Sequence, residues 1–98
     1  MQDWSVEHFA PLQGQHFALS LGEAQEPLLS AELVQAQALP QPVFKGRQPF
    51  SLLFAGPPAP LLPQRIYRLA HAQLPPMDIF LVPLAADATQ VHYQAVFG

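Results

Sequence analysis

From Phe17 to Phe97 apolar side chains fall on alternate positions in short runs, and proline or glycine interrupts nearly every run. Alternation of period two sorts side chains onto the two faces of an extended strand, whereas a helix needs spacings of three and four. Twelve prolines in 98 residues tighten the constraint. Proline fixes φ and lacks an N–H donor, so it breaks helices and ends ladders. A chain punctuated this way has little to build with except short strands and turns.

Gln15 to Leu21 sets Phe17, Leu19 and Leu21 on one side and His16, Ala18 and Ser20 on the other. Gly22 to Pro27 predicts a hairpin connection. The alternation resumes at Leu29, Ala31 and Leu33, and the adjacent Leu33 and Val34 point to a bulge or a strand end. Leu28 to Ala38 is also rich in Ala, Glu, Gln and Leu, so a short helix competes with a strand there. Leu39 to Pro49 carries three prolines and a glycine and predicts a long loop.

Phe50, Leu52 and Phe54 then face one way and Ser51, Leu53 and Ala55 the other. The second set is nearly apolar too, which implies cover on both faces or a subunit contact. Gly56-Pro57-Pro58-Ala59-Pro60 predicts a stiff extended connector, with a ligand for an aromatic-lined groove as the alternative. Gln64 to His71 alternates with Tyr67, Leu69 and His71 opposite Ile66, Arg68 and Ala70. A turn is expected from Gln73 to Met77 around Pro75-Pro76. The β-prone run Ile79-Phe80-Leu81-Val82 follows, ending at Pro83, with a loop from Ala85 to Gln90. His92 to Phe97 closes the chain, with Tyr93, Ala95 and Phe97 inward.

Ahead of the strands, Ser5 is a candidate N-cap with His8 three positions on and Glu7 in the first turn, and Pro11 stops the helix early. Trp4, Phe9 and Leu12 are then placed to plug one open end of a sheet. The fold expected is all-β: a small, mostly antiparallel barrel or sandwich of about six strands with a short N-terminal helical turn. Residues 1–98 are expected to form a single domain.

The chemistry is sparse. Half the residues are hydrophobic and 11% are charged, with a net charge of −3. Lys45, Arg47, Arg65 and Arg68 are the only lysines and arginines, too few for the clustered phosphate contacts that nucleic acid demands. There is no cysteine, hence no disulfide or thiolate chemistry. No apolar run approaches the ~20 residues of a membrane helix. Met1 to Ala10 is acidic rather than basic and apolar, so no signal peptide is expected and the chain reads as cytoplasmic.

His8, His16, His71 and His92 have no metal-site spacing, and no serine stands in a Gly-x-Ser-x-Gly elbow. The glycines are dispersed, which leaves no phosphate loop. No enzyme, metal or cofactor is implied. What is left is a candidate interaction surface of Lys45, Arg47, Arg65, Tyr67, Arg68 and His71. Arg65 and Arg68 lie three apart on a strand and hence on opposite faces, one of them in reach of Asp78.

Several motifs span the chain: Phe9…Leu12-x-Gly14-x-x-Phe17, Pro49-Phe50-Ser51-Leu52-Leu53-Phe54-x-Gly56-Pro57, and Gln64-x-Ile66-Tyr67-x-Leu69-x-His71. Ile79-Phe80-Leu81-Val82-Pro83 and Tyr93-Gln94-Ala95-Val96-Phe97 complete the set. With these motifs the sequence resembles a family of short bacterial proteins, an uncharacterised domain of about this length. The resemblance implies a bacterial source, one small β-domain and an association with phage-tail-like components. It supplies no catalytic residues, since the motifs concern packing and turns. The functional expectation is a non-enzymatic structural or interaction module, partnered by a protein or by itself. The competing expectation is a small barrel that binds an apolar or acidic ligand near Tyr67, Arg68 and His71.

Overall fold

The computed structural model describes residues 5–22, 26–39 and 49–97. Six strands, β1 (His16–Ser20), β2 (Leu29–Ala38), β3 (Phe50–Gly56), β4 (Arg65–His71), β5 (Leu74–Ala86) and β6 (Val91–Phe97), close into a barrel in the order β1-β2-β3-β6-β5-β4. Every pairing is antiparallel. β4, β5 and β6 are hairpin neighbours, and β3 lies beside β6, which makes a Greek key. Closure gives each strand a neighbour on both sides, an advantage for a chain with few charges to guard an edge.

The alternation in the sequence is the alternation of the barrel wall. Phe17 and Leu19, Leu29, Ala31 and Leu33, Phe50, Leu52 and Phe54, and Val91, Tyr93 and Ala95 are all buried. Across the β3–β6 ladder Leu52 lies opposite the small Ala95, while Phe54 lies opposite Tyr93 and Phe50 opposite Phe97. The Tyr93 ring packs against Gly56, where a Cβ would stand in van der Waals contact at 3.4 Å from Tyr93 Cε1. Phe17 and Phe54 meet edge to face at 5.7 Å. Among the described residues the buried set is apolar throughout, apart from two tyrosine hydroxyls.

The stretch expected as strand or helix from Leu28 to Ala38 is a strand from Leu29 onward, and the bulge falls at Val34, where the register with β3 slips between Leu33 and Gln35. At this bulge the preceding chain adds its own bonds: Gly14 N–H to Leu33 O (2.7 Å), Leu33 N–H to Gln15 O (2.9 Å) and Ala36 N–H to Gln13 Oε1 (2.8 Å). Helix α1 (Val6–Phe9) and a 3₁₀ turn (Ala10–Leu12) plug the barrel end where β3 begins and β6 finishes. Phe9 stands 5.8 Å from Phe50 and 6.0 Å from Phe97, and those two rings stack at 4.6 Å. Ser5 caps α1 as expected, its backbone N–H donating to His8 Nδ1 at 3.1 Å. Trp4, the third expected member of the plug, lies outside the described residues.

Two boundaries differ from expectation. Gln73–Met77 is not a turn: the turn is Ala72-Gln73, and β5 already runs from Leu74 through Pro75 and Pro76. β5 also continues past Pro83 to Ala86, which shortens the last loop to 87–90. Proline survives at both places because one side of the strand has no ladder to feed. The pairing of β5 with β6 starts only at Val82, and its pairing with β4 stops at Leu81.

Candidate interaction surface

β3 and β4 stand on opposite sides of the barrel, so the segment between them must cross its far end. It does so through Gly56-Pro57-Pro58-Ala59-Pro60 and then drops Leu62 (5% exposed) into the opening. Two interior tyrosines bolt it there. Tyr93 Oη accepts the Leu62 N–H at 3.1 Å, and Tyr67 Oη donates to the Pro63 carbonyl at 2.5 Å. Burial pushes the Tyr67 phenol above its ordinary value; the Arg65 guanidinium pulls it part of the way back and Tyr93 adds to the rise. The proline-rich stretch is therefore a lid with an apolar plug, held from within.

The other expected surface residues disperse around this frame. Arg65 opens β4 at the lid end and is exposed. Arg68 points outward and pairs through Nε with Asp78 Oδ1 at 3.2 Å, the acid its position implied. His71 ends β4 near the helical plug, its ring tilted at 38° against Phe17 with centroids 4.7 Å apart. Gln73 N–H donates to its Nδ1 (3.0 Å), so Nε2 carries the proton and donates to Gln15 Oε1 (2.7 Å). Lys45 and Arg47 lie outside the described residues.

Tyr67 and His71 are separated by four strand residues, about 13 Å, while Arg68 sits on the outside of the wall between them. The three do not surround one small ligand. His71 is held by Gln15 and Gln73, and Asp78 by Arg68. Among the described residues no three His, Asp or Glu side chains could hold a metal ion, and no helix is long and apolar enough to cross a membrane.

What the sequence reading passed over is the outer wall of β4 and β5. Ile66 and Phe80 are direct register partners, both outward and 60% and 51% exposed. Arg68 and Asp78, the next outward pair along the same ladder, sit beside them. Val96, on the strand beyond β5, is 58% exposed, and on the other flank β1 offers only the small Ala18 and Ser20 opposite Ala70 and Arg68. A signal for this was present: Ile79-Phe80-Leu81-Val82 is apolar on both faces, so one face had to end up outside.

By fold and surface this is a small closed β-barrel, sealed at one end by a helical plug and at the other by a tyrosine-bolted lid, with an apolar strip on its wall. The chain belongs to the family described as Domain of unknown function (DUF6916), whose profile matches residues 4–97. No curated protein and no solved structure matches it.

Proposed function

We propose that the protein is a non-enzymatic structural or protein-interaction module that acts by presenting its outer wall to another protein surface. The observation that supports this most is the placement of large apolar side chains. Those turned inward fill the barrel, and Ile66, Phe80 and Val96 on neighbouring strands are left more than half exposed, as are Leu61 in the lid segment and Leu84 toward the end of β5. Exposed apolar groups of this size, gathered on neighbouring strands, mark association surfaces more often than inert ones. The histidines and carboxylates whose bonds are described here act on loops and neighbouring strands: His8 on Ser5, His71 on Gln15 and Gln73, Asp87 on Thr89 and Gln90, Asp78 on Arg68. A cytoplasmic, phage-tail-like bacterial assembly is the setting to test first, on the strength of the motif resemblance.

The test is native size fractionation with crosslinking at endogenous expression level. The tagged chain is expected to migrate above its monomer mass, with crosslinks radiating from β4, β5 and β6. A pool that runs entirely as free monomer overturns the reading.

A further inference from the structure

The outward side chains of the paired segments Arg65–Leu69 and Met77–Leu81 form a two-by-two array. Ile66 and Phe80 make one row; Arg68 and Asp78 make the next. Rows are about 7 Å apart along the strands and columns about 5 Å apart across them. One row is apolar, and the other holds one positive and one negative charge side by side. From this array we infer that the β4–β5 wall is the interface of a homodimer, the second copy being related by a two-fold axis parallel to the strands and midway between β4 and β5.

The placement follows from symmetry. Such an axis exchanges the two columns and leaves the rows in place. Ile66 of one copy then lies over Phe80 of the other, and Arg68 over Asp78, each contact occurring twice, as an isologous interface requires. An axis perpendicular to the strands through the apolar row would set each side chain against its own copy. One between the rows would press Ile66 against a charged guanidinium. Only the strand-parallel axis satisfies both the apolar and the charged row.

Face-to-face sheets pack about 10 Å apart, a gap that an arginine and an aspartate reaching toward each other can span. The in-chain Arg68–Asp78 pair uses a single Nε–Oδ1 contact, with the side chains 44% and 56% exposed. Both groups therefore keep hydrogen-bonding capacity for a partner's charge. The small Ala18 and Ser20 on β1 let a second wall approach without obstruction. The inference rests on the interaction-module reading and names the partner as a second copy of the chain.

Sedimentation equilibrium of the purified chain and three variants tests it, with far-UV circular dichroism to confirm folding. The unaltered chain is expected to be dimeric at micromolar concentration. Phe80→Glu, at an exposed position, is expected to stay folded and to weaken the dimer at least about tenfold, equivalent to about 1.4 kcal/mol. Arg68→Glu places two acids against two acids across the interface, and Asp78→Arg places two bases against two bases. Each alone is expected to be monomeric.

Mixed in equal amounts, those two variants restore both opposite-charge contacts across the interface and are expected to form a heterodimer. Restoration on mixing is a result that mere unfolding cannot mimic. A chain that self-associates equally well in all three variants overturns this interface while leaving the interaction-module reading in place. A strictly monomeric chain that still crosslinks into a larger assembly overturns the homodimer alone.

Discussion

Replacing Tyr93 by phenylalanine isolates the bolt that holds the lid. The ring stays where it is, 0% exposed and packed over Gly56, and only the hydroxyl that accepts the Leu62 N–H is lost. Leu62 is itself 5% exposed, so its amide has no easy route to water. Stranding a buried donor costs about 1–3 kcal/mol, more than the roughly 1 kcal/mol that a hydrogen bond contributes net. A domain of this kind is stable by only about 5–15 kcal/mol, and for its size each kcal/mol lowers Tm by about 4–8 °C. Urea unfolding followed by circular dichroism is expected to show a lower midpoint at unchanged slope.

Amide exchange then locates the effect. Leu62 is expected to lose more protection than Leu52, which sits in the middle of β3. Tyr67→Phe removes the other bolt, and its cost is expected to be smaller, because a freed Pro63 carbonyl is more readily satisfied by water than a buried amide. The two changes are expected not to add, since they release adjacent residues of one segment. An unchanged midpoint in Tyr93→Phe together with unchanged exchange at Leu62 would refute the account of the lid.

Two further outcomes follow from local geometry. Gly14 has φ of +90°, a conformation that costs an L-residue roughly 1–2 kcal/mol, and it joins the helical plug to β2 through its bond to Leu33 O. Gly14→Ala is expected to destabilise by about that amount in the same urea titration. Asp87 Oδ1 accepts Thr89 N–H (2.7 Å), Thr89 Oγ1–H (2.8 Å) and Gln90 N–H (3.0 Å), and these bonds hold its carboxyl below the ordinary value. The folded value being the lower one, its stabilisation is complete above the unfolded value near pH 4 and is lost as pH falls through the folded one. The stability gap between the unaltered chain and Asp87→Ala, measured by thermal melts, is therefore expected to narrow as pH drops below about 4.

The strands were legible because a half-buried strand writes itself into sequence at period two, with Phe50, Leu52 and Phe54 or Tyr93 and Ala95 as the clearest instances. The bulge at Val34 and the cap at Ser5 were legible for the same reason, each being set within a few neighbouring residues. Pro75, Pro76 and Pro83 misled, because a proline says that a donor is missing but not whether a neighbour was there to receive it. That depends on where β4 stops and β6 starts, which is a property of the closed sheet.

The candidate surface was harder still to read. Arg65, Tyr67, Arg68 and His71 are close in sequence, yet the barrel sends them to its lid end, its interior, its outer wall and its helical plug. Sequence alone determined that the chain alternates, that it lacks clustered charge and that it builds a β fold with an apolar interior. Only the tertiary structure decided that the prolines after β3 form a lid and that Ile66 and Phe80 share the outer wall with a matched pair of charges. The Tyr93–Leu62 and Arg68–Asp78 contacts join residues thirty-one and ten positions apart, and their partners are chosen by how the sheet closes rather than by any local preference of the chain.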